Sequence, residues 1–84
     1  VRLPDHTRVD CLTKSYAIEV DFAKKWAESI GQALYYGIKT SKKPGILIII
    51  ENPHERRFLK RLTLTIKESH LPIKVWVVSP DDLR

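Results

Sequence analysis

A small α/β fold, with a mixed sheet flanked by helices in the order ββαβαβ, is predicted for this chain by three features. Two short segments alternate polar and apolar residues near the start, two longer segments show helical spacing, and each of these leads into a β-branched run. The first feature calls for an antiparallel pair, and the strand–helix–strand succession calls for parallel crossovers.

Residues 8–12 (Arg-Val-Asp-Cys-Leu) and Tyr16–Phe22 alternate with period two, and polar Thr13, Lys14 and Ser15 lie between them. They are predicted to form a hairpin. Residues 22–39 carry Phe22, Trp26, Ile30, Ala33, Leu34 and Ile38 near one stripe, with Lys24, Lys25, Glu28 and Lys39 mostly elsewhere, which predicts the first helix. A loop over 40–45 leads to Ile46-Leu47-Ile48-Ile49-Ile50, whose unbroken apolar content predicts a central strand buried on both faces. Asn52 is placed to cap a second helix, Pro53 suits its first turn, and Glu55 can reach back to the cap amide. That helix runs to about residue 69, burying Phe58, Leu59, Leu62 and Ile66 and exposing Arg56, Arg57, Lys60, Arg61 and Lys67. Leu71-Pro72 ends it, 73–78 forms a last strand, and 79–84 is a polar tail.

Size and composition narrow the possibilities. A single domain of 84 residues has a marginal core unless further surface is buried, and a chain without Met, starting at Val1, is expected to have a preceding helical segment. The balance of 15 Lys+Arg against 10 Asp+Glu gives a net charge of +5 and a pI of 9.6. It favours a polyanionic partner, nucleic acid first, over a merely solubilising charge. A lone Cys11 excludes an internal disulfide and a zinc ribbon, so a cytoplasmic protein is expected. No apolar run is long enough for a membrane span, and three Gly residues provide no phosphate loop. His6, His54 and His70 lack the spacing of a zinc site. Cys11, pointing opposite to Asp10, is expected in the core, and Trp26 and Trp76 are expected to be packing residues.

The hairpin carries the informative chemistry. A turn between Lys14 and Ser15 puts Asp10 opposite Glu19, and period two puts Glu19 and Asp21 on one face, so three carboxylates are expected to converge. Their repulsion is relieved by a divalent cation, and hard oxygen donors suit Mg²⁺ or Mn²⁺. Alternatively, Lys14 and Arg8 neutralise a solvated face and Asp21 caps the first helix. On that helix Lys24, Glu28, Gln32 and Tyr36 follow at four-residue steps. They can direct Lys24 and Gln32 to the metal site and Tyr36 to a phosphate or base, or form a solvated face held by a Lys24–Glu28 pair.

Arg8-Val9-Asp10, Ala17-Ile18-Glu19-Val20-Asp21 and Gly31-Gln32-Ala33-Leu34-Tyr35-Tyr36 resemble, in this order, the PD-(D/E)xK nuclease superfamily, especially its RecB-type branch with a Gln-x-x-x-Tyr element. The resemblance implies a restriction-endonuclease-like core, opened in the family by a helix, and a Mg²⁺- or Mn²⁺-dependent nuclease cleaving DNA. Asp10 and Glu19 would be metal ligands, and Gln32 and Tyr36 would assist substrate or metal placement. The family usually has Lys two residues after the second acid, where this chain has Asp21. Lys24 then supplies the cation, or Asp21 adds a ligand, or catalysis is lost and a nucleic-acid-binding module remains. Lys42, Lys43, Arg57, Lys60 and Arg61 are candidates for holding the nucleic-acid backbone. A homodimer would suit both the small core and a need to cut two strands. A protein-interaction domain with incidental basic charge is the third possibility.

Overall fold

A computed structural model describes residues 1–80. The elements are β1 (Cys11–Leu12), β2 (Tyr16–Phe22), α1 (Trp26–Thr40), β3 (Lys43–Ile49), α2 (Arg56–Glu68) and β4 (Lys74–Val78), with 3-10 turns Ala23–Lys25 and Pro53–Glu55 leading into the two helices. The strands lie in the order β1-β2-β3-β4. β1 is antiparallel to β2, whereas β2, β3 and β4 are parallel. A mixed α/β sheet with two helices therefore matches the expected class.

The helices do not flank the sheet on both sides. Ala33 of α1 and Leu62 of α2 enter one core with Ile46, Ile48 and Ile50, so both helices cover the same face. Along β3 this leaves Ile46 and Ile48 fully buried, while Leu47 and Ile49, pointing the other way, stay partly exposed. The expectation of a strand buried on both faces is thus corrected: parallel strands adjacent in chain order return both crossovers to one side. Trp26 packs against the helix-side core as expected, whereas Trp76 lies on the other face, over Gly45 and edge-on to Tyr16. Cys11 is exposed, not a core residue.

Several boundaries move for local reasons. β3 begins at Lys43, because the Lys43 N–H bonds the Ser15 carbonyl at 2.9 Å and extends the ladder into the expected loop. α1 closes through Ser41 at φ 55°, with the Lys42 N–H on the Gly37 carbonyl. α2 closes in the same way, with His70 at φ 53° and the Leu71 N–H on the Ile66 carbonyl. Asn52 caps as expected, accepting the His54 N–H at 3.1 Å. Glu55, however, accepts from the Glu51 N–H at 2.6 Å and not from the cap amide. Ile73 precedes β4 as a buried residue. Residues 81–84 of the expected tail lie outside the described residues.

Candidate functional site

β1 is only two residues long, and the reason defines the site. The pairing Cys11↔Ile18 would continue to Asp10 and Glu19, as the sequence predicts, but Asp10 replaces a backbone acceptor with its own carboxylate. Its Oδ2 accepts the Val20 N–H at 2.9 Å. The backbone before it turns away to pair with the first residues, the Val9 N–H donating to the Val1 carbonyl at 2.8 Å. The Val9 side chain is buried with Leu3, Ala17 and Tyr36, and this small second core fixes the position of Asp10.

Glu19 projects from β2 towards the helix side and is only 3% exposed. Burial, then a hydrogen bond with Asp10, then the charges of Asp10 and Asp21 push its carboxyl up to about 8. At neutral pH, with no cation bound, Glu19 holds a proton and donates it to Asp10, so the two carboxyls act as one coupled acid pair. Among the described residues the single ion pair is Lys39–Asp5 at 4.0 Å. Neither Arg8 nor Lys14 neutralises the acid pair, and the Lys24–Glu28 pair is not formed.

Asp21 shares the face of Glu19, yet its carboxylate is engaged elsewhere. Oδ1 accepts its neighbour Phe22 N–H at 2.9 Å, and Oδ2 accepts the Ser29 hydroxyl at 3.3 Å. The expected convergence of three carboxylates is therefore reduced to a pair with a third acid held towards the start of α1. No group of three or more His, Cys, Asp or Glu among the described residues is arranged to hold a metal ion.

From α1, Tyr36 reaches the pair. It is 9% exposed, and burial, followed by the charges of Glu19, Asp10 and Asp5, raises its phenol above the ordinary value. The hydroxyl stays protonated at neutral pH. Gln32 lies one turn earlier on α1 and is exposed, as is Lys24 on the 3-10 turn after β2. The structure thus joins Asp10, Glu19 and Tyr36, and leaves Gln32 and Lys24 free in solvent nearby in sequence.

The basic candidates separate into two kinds. Lys42 is half-buried and donates from Nζ to the Lys14 carbonyl at 2.8 Å, so it ties the hairpin to β3. Lys43, Lys60, Arg57 and Arg61 are exposed. The two guanidiniums lie 4.5 and 5.5 Å from the centroid of the Phe58 ring, which supports them along the outer face of α2.

Two residues escaped the sequence reading. Ser29, wholly buried in α1, is the donor to Asp21 and also bonds the Lys25 carbonyl at 3.0 Å; a hydroxyl interrupting an apolar helix was the available signal. Asp5 accepts the Thr7 hydroxyl at 2.6 Å, the Tyr35 hydroxyl and the Thr7 N–H at 3.1 Å. These bonds, with Lys39 nearby, hold its carboxyl down at about 2. Asp5 fastens the first residues to α1 and so supports the bend that places Asp10. Only Asp5-His6-Thr7, a sequence suited to an Asx turn, hinted at it.

Compared with known proteins, the chain matches no family model, no curated protein and no solved structure. No helix among the described residues is long and apolar enough to cross a membrane.

Proposed function

We propose that this chain is a divalent-metal-dependent nuclease acting on DNA phosphodiester bonds, with Asp10 and Glu19 as the metal-holding carboxylates. One observation carries the reading. A buried carboxyl is paired with a second carboxylate, and no Lys or Arg side chain among the described residues neutralises either. Such a pair is stable only with a proton or a cation between its oxygens. The donor set fits Mg²⁺ or Mn²⁺, since Mg²⁺ commonly takes one or two carboxylates and completes its shell with water and phosphate oxygens. A bound ion of this kind would polarise a phosphate and acidify a water molecule.

The chain's own groups have distinct tasks in this reading. The Val20 amide orients Asp10, and the surrounding Val9, Ala17 and Tyr36 exclude water behind the pair. The protonated Tyr36 hydroxyl is a donor for an acceptor oxygen at the same place. Lys24 and Gln32, both exposed, can turn towards a substrate, and Lys24 is the available cation for the role that Asp21 cannot fill. Lys43 and the strip Arg57, Lys60 and Arg61 supply backbone contacts, which makes binding salt-sensitive.

A second reading rests on Asp21. An acid bound to Ser29 where the resembling family has Lys favours a binding module that has lost catalysis. Cleavage of supercoiled plasmid and of a single-stranded oligonucleotide with Mg²⁺ or Mn²⁺ separates the two. Cutting is expected for the wild type, with loss of at least about a hundredfold in Glu19→Ala and a smaller loss in Lys24→Ala. A folded wild type that binds DNA without cutting, equally well with and without metal, would establish the binding module.

A further inference from the structure

The sheet face turned away from both helices has a chemistry of its own. The strand register collects Ile18, Val20, Leu47, Ile49, Trp76 and Val78 there, all only half-buried. Several of these, with exposed Cys11 at the β1 edge, line a shallow apolar groove of about 330 Å³. Charge on the face is one-sided. Lys43 and Lys74 lie on it, while Glu19 and Asp21 project from the opposite face, so the strands present cations here and no carboxylate.

The residues discriminate among a second copy, a nucleic-acid base and a partner's helix. A second copy of the chain would bring more lysines and no strand carboxylate to meet Lys43 and Lys74. A nucleic-acid base needs an open aromatic face. Trp76 instead rests on Gly45, meets the edge of Tyr16 at a centroid distance of 5.2 Å, and has the Lys74 ammonium 5.2 Å from its own centroid. An α-helix fits better, because three strands at about 4.8 Å spacing make a band about 10 Å wide, the diameter of a helix with its side chains.

We infer that this face docks an amphipathic helix of a partner protein, apolar on one side and acidic along its flanks. Its apolar stripe would cover the band between β2 and β4, and its carboxylates would meet Lys43 and Lys74. The exposed Cys11 provides a reporter on the face itself. The probe is a synthetic helical peptide of about 18 residues, with Leu at i, i+3, i+4 and i+7 and Glu elsewhere, compared with a version carrying Lys in place of Glu. With the 84-residue chain, the acidic peptide is expected to slow maleimide modification of Cys11 saturably and to shift Trp emission to the blue. The lysine peptide should do neither, and the double variant K43E/K74E should bind the acidic peptide about tenfold more weakly. Absence of protection, or equal protection by both peptides, overturns the proposal. So does protection of Cys11 by self-association in sedimentation, which would assign the face to a second copy, or by oligothymidylate, which would assign it to nucleic acid.

Discussion

The two faces of the sheet are built from the same strands and differ in almost every physical respect. On the helix side, Ile46 and Ile48 are fully buried, Glu19 is 3% exposed, and all strand carboxylates lie there. On the other side, Leu47 and Ile49 remain half-buried and the charges are lysines. Period two alone creates this division, since a shift of one residue would exchange every side chain. The lesson is that apolar content in a strand states how much surface can be buried, while the path of the connections states which side is buried.

This contrast can be broken most sharply in β3. Ile48→Ala is expected to cost about 3–4 kcal/mol, and its neighbour Leu47→Ala about 1 kcal/mol, because only the first leaves a cavity in an enclosed core. Urea titration of the two variants measures the difference. Equal costs would mean that the second face is covered in solution.

The helix side also contains the pH-sensitive element. The Glu19 carboxyl is raised from its ordinary 4.5 to about 8, so the folded state binds the proton more tightly than the unfolded chain. The stability this provides is fully present below pH 4.5 and is lost as pH rises through about 8. The expected decline is on the order of 3 kcal/mol, and Glu19→Gln should remove most of it. Denaturation at pH 5 and pH 8.5, for both proteins, provides the check. Mg²⁺ or Mn²⁺ should restore stability to the wild type at the higher pH and leave Glu19→Gln little changed. Asp5 moves the other way. Its carboxyl, lowered to about 2, stabilises above its ordinary 3.8 and loses that effect as pH falls through 2, outside the Glu19 window.

The second face is sharpened by Gly45, where a Cβ would stand 2.6 Å from the Trp76 ring. Gly45→Ala is expected to displace the indole, cost about 1–2 kcal/mol, and change near-ultraviolet circular dichroism. It should leave the pH dependence attributed to Glu19 intact, since Glu19 points to the opposite side.

Much of this architecture is legible in local sequence. Alternation in Tyr16–Phe22 determined the strand and placed Glu19 and Asp21 on one face, and the short polar turn set the register Cys11↔Ile18 that brings Asp10 beside Glu19. The helical stripes and the Asn52 cap followed from spacing and hydrogen-bonding chemistry that operate within a few residues. Tertiary structure decided what those patterns leave open. Both helices lie on one face because adjacent parallel strands impose it, so Leu47 is only half-buried and Cys11 is exposed where the local patterns implied burial. Asp21 turns to Ser29, and Lys42 to the Lys14 carbonyl, because partners eight and 28 residues away offer hydrogen bonds that solvent competes for. The raised Glu19 carboxyl is likewise tertiary in origin. Sequence places two acids together, but only tertiary packing buries Glu19 and strips it of water, which is the largest cause of its shift.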